Sequence, residues 1–536
     1  MDLRMDNGSG WNFLAGRWSE DEHGIIRPPT SPVRRGASAY DGQRATNADE
    51  LLAFYTGATY SDFEADFKFR WDAGHCGAGF VFRAQDARHY YLAHFPCIGQ
   101  CARAEHFWGV ISKVDDSGWA KVLSMEMLHG IATEGGIWHQ ARLDVSGNEF
   151  RLWVDGRPMS VVRDDTYRQP GFIGLEAWRY SDMSSSFKEL HIRGKRTRTR
   201  PWDVTLAPKQ NWFLPYPHGS GQQQRAAGIT RAPNGVLLMA VSDRSEIDLV
   251  SSTDNGRRWT SLEAKGWPGG QILTTRSGRL MTLFNRDEDT FTSESKDNGK
   301  TWSEPLKVKR APFLPPANEA AMKLHSPHGF LQLNDGTLLA FQVGSIPGSG
   351  HDSNHNIWEW GTWQNAAYSI RSIDDGRTWS APVPLNGPPA VGQKYDLCEC
   401  TSTVQTREGK VLCLVRPIYS PWMWEIWSEN GGESWGPATS GPFPCYAATA
   451  LATSSGVLLV AGRMPGLGLY ASHDSGMTWQ TYRIDTAGLW AMGAMYEVEP
   501  DLVLFVYMDS YEGYMRGQYI RVAPFGVEPA RKMLPC

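Results

Sequence analysis

Ser252-Thr-Asp254-Asn-Gly256-Arg-Arg-Trp259 returns four more times along this chain: as Ser295-Lys-Asp297-Asn-Gly299-Lys-Thr-Trp302, Ser372-Ile-Asp374-Asp-Gly376-Arg-Thr-Trp379, Ser428-Glu-Asn430-Gly-Gly432-Glu-Ser-Trp435 and Ser472-His-Asp474-Ser-Gly476-Met-Thr-Trp479. Each copy reads as a self-contained hairpin turn. The Asp or Asn side chain accepts backbone N–H groups of the turn, the Gly supplies positive φ, and the Trp buries a large aromatic surface. One such turn is unremarkable, since Asp-x-Gly is common. Five with the same Ser, Asp/Asn, Gly and Trp offsets make a repeat architecture.

Around these turns, pairs of apolar strands recur from about residue 212. They are Gly228-Ile-Thr-Arg with Val236-Leu-Leu-Met-Ala, Gln271-Ile-Leu-Thr with Leu280-Met-Thr-Leu-Phe, and Gly329-Phe-Leu-Gln-Leu with Leu338-Leu-Ala-Phe-Gln. Further on come Thr403-Val-Gln-Thr with Val411-Leu-Cys-Leu-Val, Ala447-Ala-Thr-Ala-Leu with Val457-Leu-Leu-Val-Ala, and Ala494-Met-Tyr-Glu-Val with Leu502-Val-Leu-Phe-Val. Each pair, followed by a further hairpin that carries the turn in all but the last, makes one four-stranded sheet. Six of these predict a six-bladed β-propeller, which leaves only short edges.

The first 194 residues have a different texture. Short alternating runs such as Asp62-Phe-Glu-Ala-Asp-Phe-Lys-Phe-Arg-Trp71 are punctuated by turns at Ser146-Gly-Asn148 and Asp155-Gly156. This predicts a β-sandwich. The stretches Gly79–Asp86, Tyr90-Tyr-Leu and Phe150–Gly156 resemble concanavalin-like jelly-roll modules, which implies a glycan-binding or purely structural role. The basic, Pro-terminated stretch Gly194-Lys-Arg-Thr-Arg-Thr-Arg-Pro201 breaks the alternation and reads as a linker. The expected all-β organisation is a jelly-roll β-sandwich over 1–194, a linker over 195–211 and a six-bladed propeller over 212–536.

At 536 residues the chain exceeds one ordinary core, and its net charge of −5 argues against a nucleic-acid or membrane-surface partner. No apolar run approaches the length needed to span a bilayer, and the first residues lack the apolar core of a secretory signal. The chain is expected to be secreted or periplasmic if a leader has been removed, and cytoplasmic otherwise. Eight cysteines in this length are not a disulfide framework. Cys97, Cys101 and His106 supply only three metal-ligand groups, so buried thiols or a local disulfide are the simpler reading; no metal and no cofactor is expected.

Antiparallel pairing puts the start of each first strand and the end of each second strand at one end of a blade. Second-strand ends carry Arg244, Arg286, Gln342, Arg416 and Arg463; first-strand starts add Arg225, His328 and Glu399. Arginines at the same register in several blades predict a cationic mouth that binds a carboxylate, most naturally of a sugar acid. The alternative is that several of them only pair with neighbouring carboxylates such as Asp248 or Asp287.

Over about 310 residues the propeller half resembles the sialidase (neuraminidase) superfamily. The resemblance implies that Arg225, Arg416 and Arg463 hold a substrate carboxylate, that Arg244 supports them, and that Glu399 is the catalytic glutamate opening the fourth blade. Two departures stand out. The stretch Arg244-Ser-Glu246-Ile-Asp248 is too short for the family's acid/base aspartate loop, with Glu246 the nearest substitute. Trp490 to Met492 occupies the position of the family's tyrosine nucleophile, and an indole cannot take that role. Asp287 and His328 are further catalytic candidates. His351, with Trp358 in the same long insertion, is a candidate lid or sugar-stacking element, and Trp490 a further contact. The expected function is a glycosidase releasing a terminal acidic sugar from a glycan. The alternatives are a lyase that cleaves uronate glycans by β-elimination, and a propeller that binds glycans without turnover. The partner in all three is a glycan; oligomeric state is not readable.

Overall fold

The computed structural model describes residues 2–5, 10–29, 50–72, 77–96, 106–178, 185–197, 200–216, 225–242, 247–286, 289–309, 323–324, 328–345, 365–385, 397–417, 422–444, 448–486, 493–508 and 515–531. Among them the regular elements are all β-strands, as expected of this composition of alternating and apolar runs. Five sheets of four or five antiparallel strands stand separately, at residues 225–261, 271–307, 323–384, 397–440 and 493–529. Their innermost strands touch in sequence. Arg225–Arg231 contacts Gln271–Thr274, which contacts His328–Gln332, and the series continues through Leu397–Gln405, Thr449–Ala452 and Gly493–Glu499 back to Arg225–Arg231.

The expected count of six blades is overturned. Strands Thr449–Ala452, Leu458–Gly462, Leu467–Ser472 and Gln480–Asp485 do not form a sheet of their own. The outermost of them pairs with Ala120–His129 of the N-terminal region, through Tyr482↔Lys121 and Arg483↔Ala120. These strands therefore belong to a 17-stranded sheet. The propeller has five free-standing blades, and an edge of the large sheet fills the remaining arc of its ring. The physical reason is edge satisfaction: the outer strand of a blade carries unpaired backbone groups, and here they are met by another strand instead of by solvent.

The jelly-roll β-sandwich expected over residues 1–194 is corrected to part of this large sheet, for a related reason. Strand Glu50–Trp71 runs for 22 residues, about 70 Å if extended, more than one layer can hold. Its first part pairs with Trp11–Leu14 and Gly171–Trp178, and its second part with His139–Ser146 and Ser185–Thr197. One strand thus joins what would be two layers into a continuous sheet, bent at register shifts next to Gly171 and Gly194. The core between its folded halves is dense in aromatic rings. Phe69 and Phe95 stack at 4.3 Å and Phe67 and Phe80 at 5.0 Å.

The five turns share one hydrogen-bond scheme. In the first, Ser252 Oγ donates to Asp254 Oδ1 (2.8 Å) and accepts from the Gly256 N–H (2.9 Å), while Asp254 Oδ1 accepts from the Arg258 N–H (3.0 Å). The same contacts recur at Ser295/Asp297, Ser372/Asp374, Ser428/Asn430 and Ser472/Asp474. Gly256 has φ +85°, and a Cβ there would lie 2.2 Å from Leu504 of the neighbouring blade. The turn glycine therefore serves both backbone conformation and blade-to-blade packing.

The second turn shows what these bonds do to a carboxyl. The Thr301 hydroxyl and the Thr301 N–H hold the Asp297 carboxyl down at about 2. A depressed carboxyl stabilises the fold above its unfolded value near 4, and that contribution is lost as pH falls toward 2. Replacing Asp297 with Ala is expected to lower the melting temperature at pH 7. Asp297→Asn should cost less, because Asn430 already fills this role in the fourth blade, and should flatten the acid-side loss between about pH 4 and pH 2. Thermal melts followed by circular dichroism across that range check both outcomes.

Candidate functional site

The hairpin registers define one end of the propeller as a mouth. Arg225 pairs with Ser242 at the open end of the first blade, and Glu399 pairs with Arg416 at the corresponding end of the fourth. The backbone is irregular on both sides of Glu399, with register shifts between Leu397 and Glu399 and between Cys400 and Ser402. Such bulges re-aim residues at sheet ends. Arg286 closes the second strand of the second blade. It is exposed, its guanidinium 5.9 and 5.8 Å from the Phe284 and Phe291 ring centres.

Arg463 follows the strand Leu458–Gly462 and is only 3% exposed. Gln342 is fully buried, its Nε2 donating to Thr290 Oγ1 at 2.8 Å across the blade boundary. It is tied into inter-blade packing. Arg244, Glu246, Asp287, His351, Trp358 and Trp490 lie outside the described residues, as do Cys97 and Cys101. Arg225, His328, Glu399 and Arg416 are described through their backbone alone. Among the described residues, no group of three or more His, Cys, Asp or Glu could hold a metal ion, and no helix is long and apolar enough to cross a membrane.

The N-terminal sheet meets the propeller at this same end. Met464, next to Arg463, is buried in the N-terminal hydrophobic core. Trp422, in the segment that follows the second strand of the fourth blade, meets Trp108 edge-on at 5.5 Å. Behind these contacts lies a buried polar seam. Glu176 accepts from Arg483 Nη1 (2.8 Å) and Trp178 Nε1 (3.1 Å), and His94 Nδ1 lies 2.9 Å from its other oxygen. Burial alone would raise the Glu176 carboxyl, but His94 and Arg483 outweigh it and hold it at about 2. Burial pushes His94 down, so the ring is neutral and its Nδ1–H donates to Glu176.

A second chain of buried groups adjoins the first. Asp485 accepts from Arg516 Nη1 (3.1 Å) and from the Tyr507 hydroxyl (2.5 Å). Gln518 donates to Tyr507 and accepts from the Trp119 indole of the N-terminal region (2.8 and 3.0 Å). Burial raises the Tyr507 phenol well above its ordinary value, so it serves as a neutral donor. Reading strand ends for arginines overlooked this whole network. The available signal was a charge inside an apolar run, as in Gly174-Leu-Glu176-Ala-Trp178 and Tyr482-Arg483-Ile484; a charge there demands a partner.

Residues 288–489 match the family described as a BNR repeat-like domain, and residues 5–193 match a 3-keto-alpha-glucoside-1,2-lyase-like domain. No curated protein sequence matches the chain. Among solved structures, a protein of unknown function from Dyadobacter fermentans is 16% identical with a TM-score of 0.45, over 58% of this chain and 98% of its own. A Hadza microbial sialidase is 14% identical with a TM-score of 0.45, over 93% and 99%. The carbohydrate-binding module CBM66 of Bacillus subtilis is 17% identical with a TM-score of 0.27, over 36% and 100%. The BNR repeat-like match thus lies within the propeller half of the chain.

The seam makes a sharp stability prediction. Glu176→Gln removes the carboxylate that pairs with the 4%-exposed Arg483 side chain, and removing one partner of such a pair costs about 3–5 kcal/mol. Arg483→Met should cost a similar amount. The double variant should be more stable than either single one, because it leaves no buried charge unmatched across the seam. Urea denaturation of the four proteins measures the coupling.

Proposed function

We propose that the protein is a glycoside hydrolase that releases a terminal acidic sugar, sialic acid-like or uronic, from a glycan. The observation supporting this reading is the register pairing of Glu399 with Arg416 at the mouth end of the fourth blade, on the rim where Arg225 opens the first. A carboxylate and several guanidiniums at one rim suit a substrate that carries its own negative charge. The arginines bind and orient the substrate carboxylate in bidentate fashion, and the enzyme carboxylate acts on the glycosidic bond. Arg225, Arg416 and Arg463 are assigned to the carboxylate, with Arg244 and Arg286 as supporting cations.

No tyrosine stands at the Trp490–Met492 stretch, so the chemistry proposed is two-carboxylate catalysis. Glu399 works with Glu246 or Asp287, one protonating the leaving oxygen while the other either deprotonates the attacking water or attacks the anomeric carbon to form a glycosyl ester that water then hydrolyses. The likeness of residues 5–193 to a 3-keto-alpha-glucoside-1,2-lyase-like domain supports a carbohydrate-related role for the N-terminal sheet as well.

The test is incubation with sialylated glycans and uronate polysaccharides, with products identified by mass spectrometry. Hydrolysis adds one water across the cleaved bond. A product lacking that water and carrying an unsaturated uronate would replace this reading by β-elimination. Glu399→Gln is expected to lower kcat by at least about a hundredfold, in keeping with the loss of a general acid or base. Arg416→Ala should chiefly raise KM for acidic substrates. Equal handling of acidic and neutral glycans by the wild type and Arg416→Ala would overturn the anionic specificity.

A further inference from the structure

At the end of the propeller away from the mouth, the fourth blade and the strands at 449–485 leave a groove of about 810 Å³ between them. The hairpin turn after Gln405, the turn that begins at Ser472 and the strand Trp424–Ser428 all line it. Most of its polar groups are already occupied. Lys410 Nζ bonds Glu429 at 2.8 Å, and the Ser475 hydroxyl donates to Glu408 at 2.6 Å. The Arg407 guanidinium bonds the Ser455 carbonyl, and Asp474 is engaged within its own turn.

Glu425 is different. Its half-buried carboxyl is hydrogen-bonded with the Trp427 side chain, and no salt bridge links it to a cation among the described residues. Burial raises it above the ordinary carboxylate range. Trp427 is part-exposed in the groove and seated on Gly476, where a Cβ would approach its ring to 3.2 Å. A part-exposed indole next to an accepting carboxyl matches the surface of a pyranose, which has an apolar C–H face and a rim of hydroxyl donors. Charge narrows the occupant further. Glu408, Glu425, Glu429 and Asp474 set four acids against the two bases Arg407 and Lys410, a balance of −2 that disfavours an acidic sugar.

We propose that this groove is a second glycan site that takes a neutral hexose unit of an oligosaccharide, with Glu425 accepting hydroxyl hydrogen bonds and Trp427 packing against the ring. It extends the glycan-directed reading above while using none of the mouth residues. The test is calorimetric titration of the full chain with cellohexaose and mannohexaose. At least one should bind, and Glu425→Gln should weaken that binding about tenfold, the scale of a lost hydrogen bond to a charged group.

Trp427→Phe retains an aromatic ring for the surrounding core and should weaken binding severalfold; it provides a second reading if Glu425→Gln perturbs folding. Release of a small acidic sugar at the mouth should be unchanged in both variants. Absence of binding to either hexasaccharide at millimolar concentration, or equal affinity in the wild type and both variants, would overturn the proposal. Binding is read without turnover, so a failure to hydrolyse acidic glycans would count against the mouth alone.

Discussion

The fold depends on a strand-to-strand contact between parts of the chain that lie far apart in sequence. Gln480–Asp485, the outer strand of its four, pairs with Ala120–His129 and carries Arg483 into a site where Glu176 waits. Backbone pairing removes an exposed edge, a gain any β-protein seeks, but it specifies little about which strand should come. The buried charges supply that specification. Desolvating Glu176 and Arg483 is costly, and only the register that brings them together, with Trp178 and His94 filling the remaining positions, recovers the cost. A slip of one residue would turn Arg483 to the opposite face of its strand and break its bond to Glu176.

This contact also explains why the two halves cannot be treated as beads on a string. Met464 sits in the N-terminal core, and Trp119 reaches Gln518 in the last blade. The segments after the second strands of the fourth blade and of the neighbouring four strands, which carry Trp422 and Arg463, rest against the N-terminal sheet. Rigid support of this kind is what a binding mouth built from separate sheets requires. Loops from different blades hold a fixed spacing only if something outside the blades restrains them.

What could be read from the sequence, and what could not, follows the range of the interactions. The Ser-Asp-Gly-Trp turns close within eight residues, so their hydrogen bonds and positive-φ positions were legible one copy at a time. The apolar pairs around them gave the four-stranded units. The count of free-standing blades was not legible, because the strands at 449–485 look like the others locally and differ only in what their outer edge meets. Arg483 and Glu176 are 307 residues apart, and no periodicity connects them. The sandwich failed in a similar way: the alternation at Asp62–Trp71 is plain, but its continuity back to Glu50 is decided by partners elsewhere. At the mouth, residue types at strand ends were legible as register positions for Arg225, Glu399 and Arg416. The burial of Gln342 and Arg463 depends on neighbours from other segments.

The proposed mouth and the proposed groove lie toward opposite ends of the fourth blade, and their separation determines whether one affects the other. The strand Leu280–Arg286 has seven residues and spans roughly 20 Å at the rise of an extended chain. Screening at physiological salt acts over about 8 Å. The groove's turn residues Glu408 and Asp474 are therefore about two screening lengths from the arginines at the mouth, whereas Glu425, paired opposite Leu414, stands two strand positions from Arg416 and within reach of its field. The chain's overall charge of −5 thus gives little guide to what either end attracts.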